Sequence, residues 1–415
     1  MKVLYVARLF SGLERSVSES SWKPTGVPTI YRIIEALSQE TELQLLLCAK
    51  DGHTSLSDLE DRRTKLDGLN CPVEILAATP KVSFLPRALL VACREFRHAL
   101  RTISRVWHEQ PDLIYIDHGN VWTAGILARI TRIPVVFRVM GVYPAMRDAI
   151  DGKRLAHRYL RWCYGAPFAT VVCTQDGSGV ESWLKKAIRP GTPVHVLVNG
   201  VDQLPHDAKL DGIESNVPDD ATIVMFLGKL EDGKGALSFA EGFIEAQRLD
   251  SNLHAVMIGT GSQLPAIEEA FASANCRERL TLIERLPHVA VLGILKRADI
   301  YVSLNRFGNL SNANLEAMRV GTAMIFPEAQ ADTGVDLATD CIIPAEAVRR
   351  IKNSDDKAGL VGAILHLSGS KATRAAMSDQ VRILAAERIG DWDTRVKREM
   401  AILRGIVSGQ GKIRV

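Results

Sequence analysis

Two lysines five positions apart, Lys229 and Lys234, flank a glycine-containing loop in FLGKLEDGKGALSFAEGF (226–243). Such a loop, set between a strand and a helix, lets the backbone approach a ligand. Two ammonium groups there can neutralise a diphosphate. The plain alternative is a solvated turn with two surface lysines. A second stretch, FGNLSNANLEAMRVG (307–321), places Asn309, Ser311, Asn312 and Asn314 ahead of a lone acid, Glu316. Gly321 is a natural helix stop, and Ser311 or Asn312 is the expected N-cap. The unpaired N–H groups of the first turn and the helix dipole then form an anion site at Leu310–Asn312. Glu316, about one turn in, can accept two hydrogen bonds from a ribose diol. Alternatively it only complements its own helix dipole, worth about 0.3–1 kcal/mol.

Other residues have weaker claims. HAVMIGTGSQLPAIEEAF (254–271) carries Gly259 and Gly261, but Leu264 stands where a dinucleotide fingerprint needs its third glycine, which disfavours an NAD enzyme. Gly228 and Arg285, which follow the strand-like runs 222–227 and 280–284, are further donor-binding candidates. His118 ends the run LIYI in DHGN; it is either a site residue or a satisfied structural histidine. Asp391 and Asp393 form an Asp-x-Asp pair far from the lysines, and no essential metal or cofactor is expected.

Positioning these residues requires a regular scaffold. Short apolar, β-branched runs at 3–6, 43–48, 113–116, 135–139, 170–173 and 194–198 alternate with helical stretches. A second series follows at 222–227, 254–258, 280–284, 299–304 and 322–326. This pattern means parallel sheets covered on both faces. Two series in 415 residues mean two Rossmann-like α/β domains, joined near 199–220, with ligand bound in the cleft where strand ends face each other. Hydrophobic residues at 47% and charged residues at 24% fit a soluble enzyme, and a net charge of +3 gives no field for nucleic acid. Seven scattered cysteines without a Cys-x-x-Cys pair argue against zinc or a disulfide framework and fit a reducing cytoplasm. The opening MKVLYVARLFSGLER reads as a first strand rather than a targeting segment, and no run is long enough to span a membrane.

Two segments of the first half stand apart. About twenty residues, 8–27, separate the first strand from the helix 29–40, a long loop with Gly26 ahead of Pro28. It is read either as functional or as a disordered excursion. The stretch 85–110 is an amphipathic helix with Leu85, Leu89, Ala92, Phe96, Leu100, Ile103 and Trp107 on one face. Arg94, Arg97, Arg101 and Arg105 form a neighbouring basic stripe, suited to anionic lipid or simply to solvent. The basic segment 152–165 adds to the first reading.

Taken in order, these pieces resemble the retaining GT-B glycosyltransferases of family 4, the group 1 type, over nearly the whole chain. The mid-domain strands PDLIYIDHGN and IPVVFRV, the junction VNGVD, the lysine pair of GKLEDGK and the stretch NLSNANLEAMRVGTAMI carry the resemblance. So does IGDWDTRVKREM, similar to that family's helix returning to the first domain. The resemblance implies a first domain at 1–200 with a returning helix at 390–406, and a nucleotide-sugar domain at 215–388. It implies sugar transfer, with retention, from a nucleotide diphosphate sugar to a hydroxyl of a glycan or lipid-linked acceptor, in cell-surface polysaccharide or glycolipid synthesis. Lys229, Lys234 and His118 take the catalytic places. Gly26, Gly228, Gly259, Arg285, Asn309, Leu310, Ser311, Asn312 and Glu316 take the donor-binding ones. The protein would be cytoplasmic, at the inner membrane face if 85–110 meets lipid. Two departures stand out. Gly308 replaces the first of the family's two spaced glutamates, which faces the transferred sugar, and Met140 replaces a histidine near the reacting sugar. A non-catalytic nucleotide-sugar-binding partner and a GT-B sugar epimerase are the alternatives.

Overall fold

The computed structural model describes residues 1–50, 60–78, 86–202, 217–218 and 220–409. Leu85 and most of the expected joint at 199–220 lie outside them. The chain divides into two units. The first holds Met1–Thr174, Glu181–Leu197 and Asp393–Val415; the second holds Gln175–Val180 and Val198–Trp392.

In the first unit the strands are β1 (Lys2–Arg8), β2 (Glu42–Cys48), β3 (Arg62–Thr64), β4 (Val73–Leu76), β5 (Leu113–Asp117), β6 (Val135–Val139), β7 (Thr170–Gln175) and β8 (Val194–Val198). They form one sheet in the order β3-β4-β2-β1-β5-β6-β7-β8. β3 is antiparallel to β4, whereas β4, β2, β1, β5, β6 and β7 run parallel. The central strands are buried along their length because, apart from Asp117 and Arg138, their side chains are apolar on both faces (LIYID, VVFRV). The second unit is a wholly parallel sheet of β9 (Thr222–Leu227), β10 (Leu253–Ile258), β11 (Leu280–Ile283), β12 (Ile300–Val302), β13 (Ala323–Pro327) and β14 (Arg349–Ile351). Its order is β11-β10-β9-β12-β13-β14, a doubly wound arrangement. One face is closed by Phe239, Phe243 and Phe271, all without exposed surface, each contributing about 1.5–3 kcal/mol by burial.

The segment 8–27 is not structureless. Leu13 and Val17, four apart, are buried on one face of a helix, Ser11–Ser18. Trp22 Nε1 then donates to Glu35 Oε1 (2.8 Å) on the helix Pro28–Glu40, so burial and a tertiary bond order what periodicity over so few residues left open.

The long helix is present as Arg87–Glu109, but its buried face is not the apolar one. Arg94, Glu95, His98, Ala99, Thr102 and Val106 face inward, while Leu89, Phe96, Leu100 and Trp107 are 48–64% exposed. The reason is charge. Arg8, at the end of β1, pairs with Glu95 at 2.8 Å, and Arg94 pairs with the same carboxylate. His98 Nε2 lies 2.8 Å from the Ala77 carbonyl. The supposed basic stripe is engaged in pairs: Arg97 and Arg101 reach Asp61, and Arg105 reaches Glu74. Among the described residues no helix is long and apolar enough to cross a membrane.

The last helix, Trp392–Val407, belongs to the first unit. Met400 and Leu403 join the core beside β1 and β5. Glu399, 1% exposed, receives Arg138 (3.3 Å), Arg395 and the Tyr115 hydroxyl. Burial opposes its ionisation, but Arg138 and Arg395 outweigh it and hold the carboxyl below the usual range.

Candidate functional site

In an open parallel sheet a crevice forms where strand order reverses, at the carboxyl ends of the two diverging strands. In the second unit that point lies between β9 and β12. The segments leaving these strands carry the lysine loop and the asparagine-rich stretch.

Gly228 and Gly259 end neighbouring strands. Gly228 N donates to Ile258 O (3.0 Å), and a Cβ at Gly259, whose φ is +146°, would sit 1.8 Å from Gly228 O, so only glycine fits. Beyond them Lys229 is exposed and Lys234 half-buried. Burial lowers the proton affinity of Lys234; Asp176 opposes that shift and Lys229 adds to it, so the three charges lie within reach of one another. The loop is fixed by its neighbour: Arg306 N donates to Gly233 O (3.0 Å), Arg306 Nε donates to Asp232 O (3.1 Å), and its guanidinium pairs with Asp355.

The helix after β12 is Asn312–Val320, capped by Ser311, whose Oγ accepts from Asn314 N at 3.4 Å. The polar residues of this stretch divide into two groups. Asn309 is fully buried: its side chain donates to Asn305 O and Asp336 Oδ2 and accepts from Ser303 Oγ, while its N–H donates to Asp336 Oδ1. Asn314, 1% exposed, accepts from the Tyr301 hydroxyl and donates to Ser303 Oγ and Asn309 O. Leu310 is core, and its N–H donates to Asp176 O (3.1 Å). Asn309 and Leu310 therefore shape the loop instead of presenting free groups. Ser311, Asn312 and Ala313 are half-buried, and among the described residues their N–H groups have no partner. These are the orphan donors of the helix mouth. Asn312 Oδ1 accepts from Asn199 Nδ2 (2.6 Å).

Glu316, with a side chain 12% exposed, lies 2.8 Å from His288 Nε2; His288 Nδ1 is 4.0 Å from Asp202 Oδ2. Arg285 is exposed between β11 and the helix His288–Arg297. His288 gives no signal by spacing; only its place just past the run 280–284 marks it. Asp176 does have a local cue, since QDGSG (175–179) is a glycine-rich turn directly after a strand-forming run.

His118 and Gly26 belong to the first unit. His118 sits at the reversal point between β1 and β5. Its ring stacks on Tyr143 (centroids 5.7 Å apart), and among the described residues its buried Nδ1 has no hydrogen-bond partner. Burial, with Arg8, Arg138 and Lys50 adding to it, pushes its pKa down to about 4, so the ring is neutral at pH 7. Gly26 is exposed just before the helix Pro28–Glu40 and has φ +89°. Met140 packs against the first unit's core.

A doubly wound sheet with paired lysines and an open helix mouth at its reversal point is an arrangement suited to a phosphorylated ligand. The comparisons name the family. Residues 210–330 match the model described as glycosyl transferases group 1, and residues 26–200 match the glycosyl transferase 4-like domain. The chain belongs to the group 1 glycosyltransferases of GT-B fold, enzymes that use a nucleotide-sugar donor. Alpha-D-kanosaminyltransferase of Streptomyces kanamyceticus is 20% identical over 62% of this chain and 71% of its own. 2-Deoxystreptamine N-acetyl-D-glucosaminyltransferase of Streptomyces fradiae is 26% identical over 57% of each. Among solved structures, sucrose-phosphate synthase from Thermosynechococcus elongatus superposes with a TM-score of 0.73 at 14% identity, over 99% of this chain and 100% of that one. Anabaena HepE in complex with UDP gives 0.67 at 14%, over 98% and 100%. At these identities the solved structures speak for the fold.

Proposed function

We propose that the protein moves a sugar from a nucleotide diphosphate sugar to a hydroxyl acceptor with retention of configuration and without an essential metal. In the step, the bond from the sugar's anomeric carbon to the diphosphate oxygen breaks, the acceptor oxygen forms the new bond on the same face, and the proton of the acceptor hydroxyl passes to the departing diphosphate. Charge develops on the departing diphosphate. Lys229, Lys234 and the open N–H groups of Ser311–Ala313 stabilise it, and donors aimed in advance at developing charge are an enzyme's strongest lever. Glu316, oriented by His288, accepts from the ribose diol, with Gly228, Gly259 and Arg285 bordering the donor. His118, neutral and with a free ring nitrogen, is assigned to the reacting sugars, and Gly26 to the donor phosphates.

The observation that carries this reading is Lys234, half-buried beside Lys229 at the reversal point of the sheet. Release of nucleoside diphosphate from a panel of donors, with acceptors supplied as a glycan and lipid extract, tests it. Lys234→Ala is expected to lose about 10²–10³ in turnover while keeping the wild-type melting temperature. Unchanged turnover removes Lys234 from the mechanism. Donor binding without any release would turn the reading to a nucleotide-sugar-binding partner, and a changed sugar on an intact donor to an epimerase.

The acceptor class we favour is a cell-surface polysaccharide or glycolipid, made at the inner face of a membrane. The exposed row Leu89, Phe96, Leu100 and Trp107 supports this, since large apolar side chains on one helix face suit a bilayer interface. Because the neighbouring arginines are paired, binding is expected to depend on apolar insertion more than on anionic lipid. Flotation with neutral and anionic vesicles checks this: Phe96→Ser with Trp107→Ser should abolish recovery from both. The Streptomyces fradiae relative, whose name makes 2-deoxystreptamine its acceptor, favours a small polyhydroxylated acceptor as the second reading.

A further inference from the structure

The segment Gln175–Val180 leaves the first sheet and is seated on the second unit. It lies directly over the loop before the helix mouth. Leu310 N donates to Asp176 O (3.1 Å), and Asp336 N donates to Gly177 O (2.7 Å). The fit is close on both sides. A Cβ at Gly177 would lie 2.7 Å from Asp336 Oδ1 and 2.8 Å from Asn309 N. A Cβ at Gly308, whose φ is +125°, would lie 2.5 Å from Gly177 C and Ser178 N, and 2.6 Å from Asp176 O. The volume that a side chain at position 308 would enter is therefore filled by the backbone of 176–178. No carboxylate can be supplied from position 308.

The inserted segment brings its own carboxylate. Asp176 Oδ1 accepts from Ser178 N (3.0 Å) and Ser178 Oγ, which fixes the side chain. The residue is half-buried, and among the described residues its other oxygen makes no hydrogen bond. No lysine or arginine among them closes an ion pair on it; burial raises its pKa to about 6, with the Ser178 hydrogen bonds and the nearby Lys234 opposing that shift. A fixed carboxylate beside a phosphate-binding lysine is repelled by phosphate. Its ligand must donate hydrogen bonds. Next to the diphosphate of a nucleotide sugar, the donors within reach are hydroxyls of the sugar attached to it.

We propose that Asp176 is the donor-sugar recognition residue of this protein, accepting hydrogen bonds from hydroxyls of the transferred sugar in place of any side chain at Gly308. The inference rests on the nucleotide-sugar reading above.

The test compares Asp176→Asn with wild type in binding and turnover. The probes are UDP, GDP, ADP, CDP and dTDP with their hexose conjugates. Asparagine keeps an acceptor for Ser178 and removes the charge. The expected result has two parts. The nucleoside diphosphate that binds wild type binds the variant at least as tightly. The matching nucleotide sugar loses tenfold or more in kcat/KM, as for a hydrogen bond between a charged group and its ligand. A donor lacking one sugar hydroxyl should show its own penalty in wild type and little further penalty in Asp176→Asn, the non-additivity expected of groups in contact. Should Asp176→Asn not fold, Ser178→Ala, which removes the hydroxyl donating to Asp176 Oδ1 and keeps the N–H that does so, is expected to show the same sugar-specific loss in smaller measure. If wild type binds the nucleotide sugar and the variant uses it equally well, Asp176 has no such role and the transferase reading stands. If wild type binds none of the ten probes, both fall.

Discussion

Each ionisable residue of the site is matched to one task by its surroundings. Lys229 is exposed and Lys234 half-buried, which suits the phosphate contacts proposed for both. Among the described residues Glu316 has one hydrogen-bond partner, His288, which leaves lone pairs for the proposed diol. Removing a hydrogen bond to a charged group costs about 1.5–3 kcal/mol, so Glu316→Ala should weaken nucleotide binding roughly 10–150-fold. His288→Ala, which removes only the orienting group, should cost less, and isothermal titration with the preferred nucleotide ranks the two. At this scale the placement of the charged residues was legible in the sequence, because the strand–loop–helix pattern around Lys229, Lys234 and Glu316 is local. The asparagines were not. Nothing local says that Asn309 is buried against Asp336 while Asn312 stands at the mouth, since the distinction depends on a partner 27 positions away. His288 comes from a remote segment and gives no local signal, whereas Asp176 is marked locally only by its glycine-rich turn.

Elements were most legible where apolar runs form central strands and least where charge overrides apolar patterning. Strands β6, β8 and β9 coincide with the runs that predict them, whereas the short β3, β4 and β14 give almost no signal. The helix Arg87–Glu109 was found by its period but turned the wrong way. Its apolar side chains mark a face, and only the tertiary position of Arg8 decides that Glu95 must point inward. A reciprocal pair of substitutions follows from this. Phe96→Ser should leave the melting temperature unchanged. Glu95→Ala, which removes the carboxylate paired with the largely buried Arg8, should cost about 3–5 kcal/mol. Equal effects of the two in a denaturant titration would reverse the assignment. Gly308→Ala should also destabilise, by about 1–3 kcal/mol from backbone strain alone, with the clash against Gly177 and Ser178 adding to it.

On the scale of the whole molecule, two sheets each place chemistry at a reversal point, and the last helix ties the C-terminal segment into the first unit through Glu399. Folding lowers the pKa of Glu399 below its ordinary 4.5. Its contribution to stability is therefore complete above that value and is lost as pH falls through the lower folded value. Glu399→Gln should remove this acid-limb slope and lower stability at neutral pH by about 3–5 kcal/mol, read by urea titration from pH 3 to 7. The two series of alternating runs made the two-sheet plan visible at once. The assignment of 175–180 to the second unit was invisible, because it depends on glycines fitting a surface built elsewhere in the chain. The central claim is that the second unit holds a nucleoside diphosphate through Lys234 and Glu316. It is tested most directly by thermal shift with UDP, GDP, ADP, CDP and dTDP on wild type, Lys234→Ala and Glu316→Ala. At a hundredfold excess over Kd a bound nucleotide stabilises by about 2.7 kcal/mol. One base should raise the wild-type melting temperature by several degrees and raise both variants less. No shift with any of the five, or equal shifts in all three proteins, would contradict it.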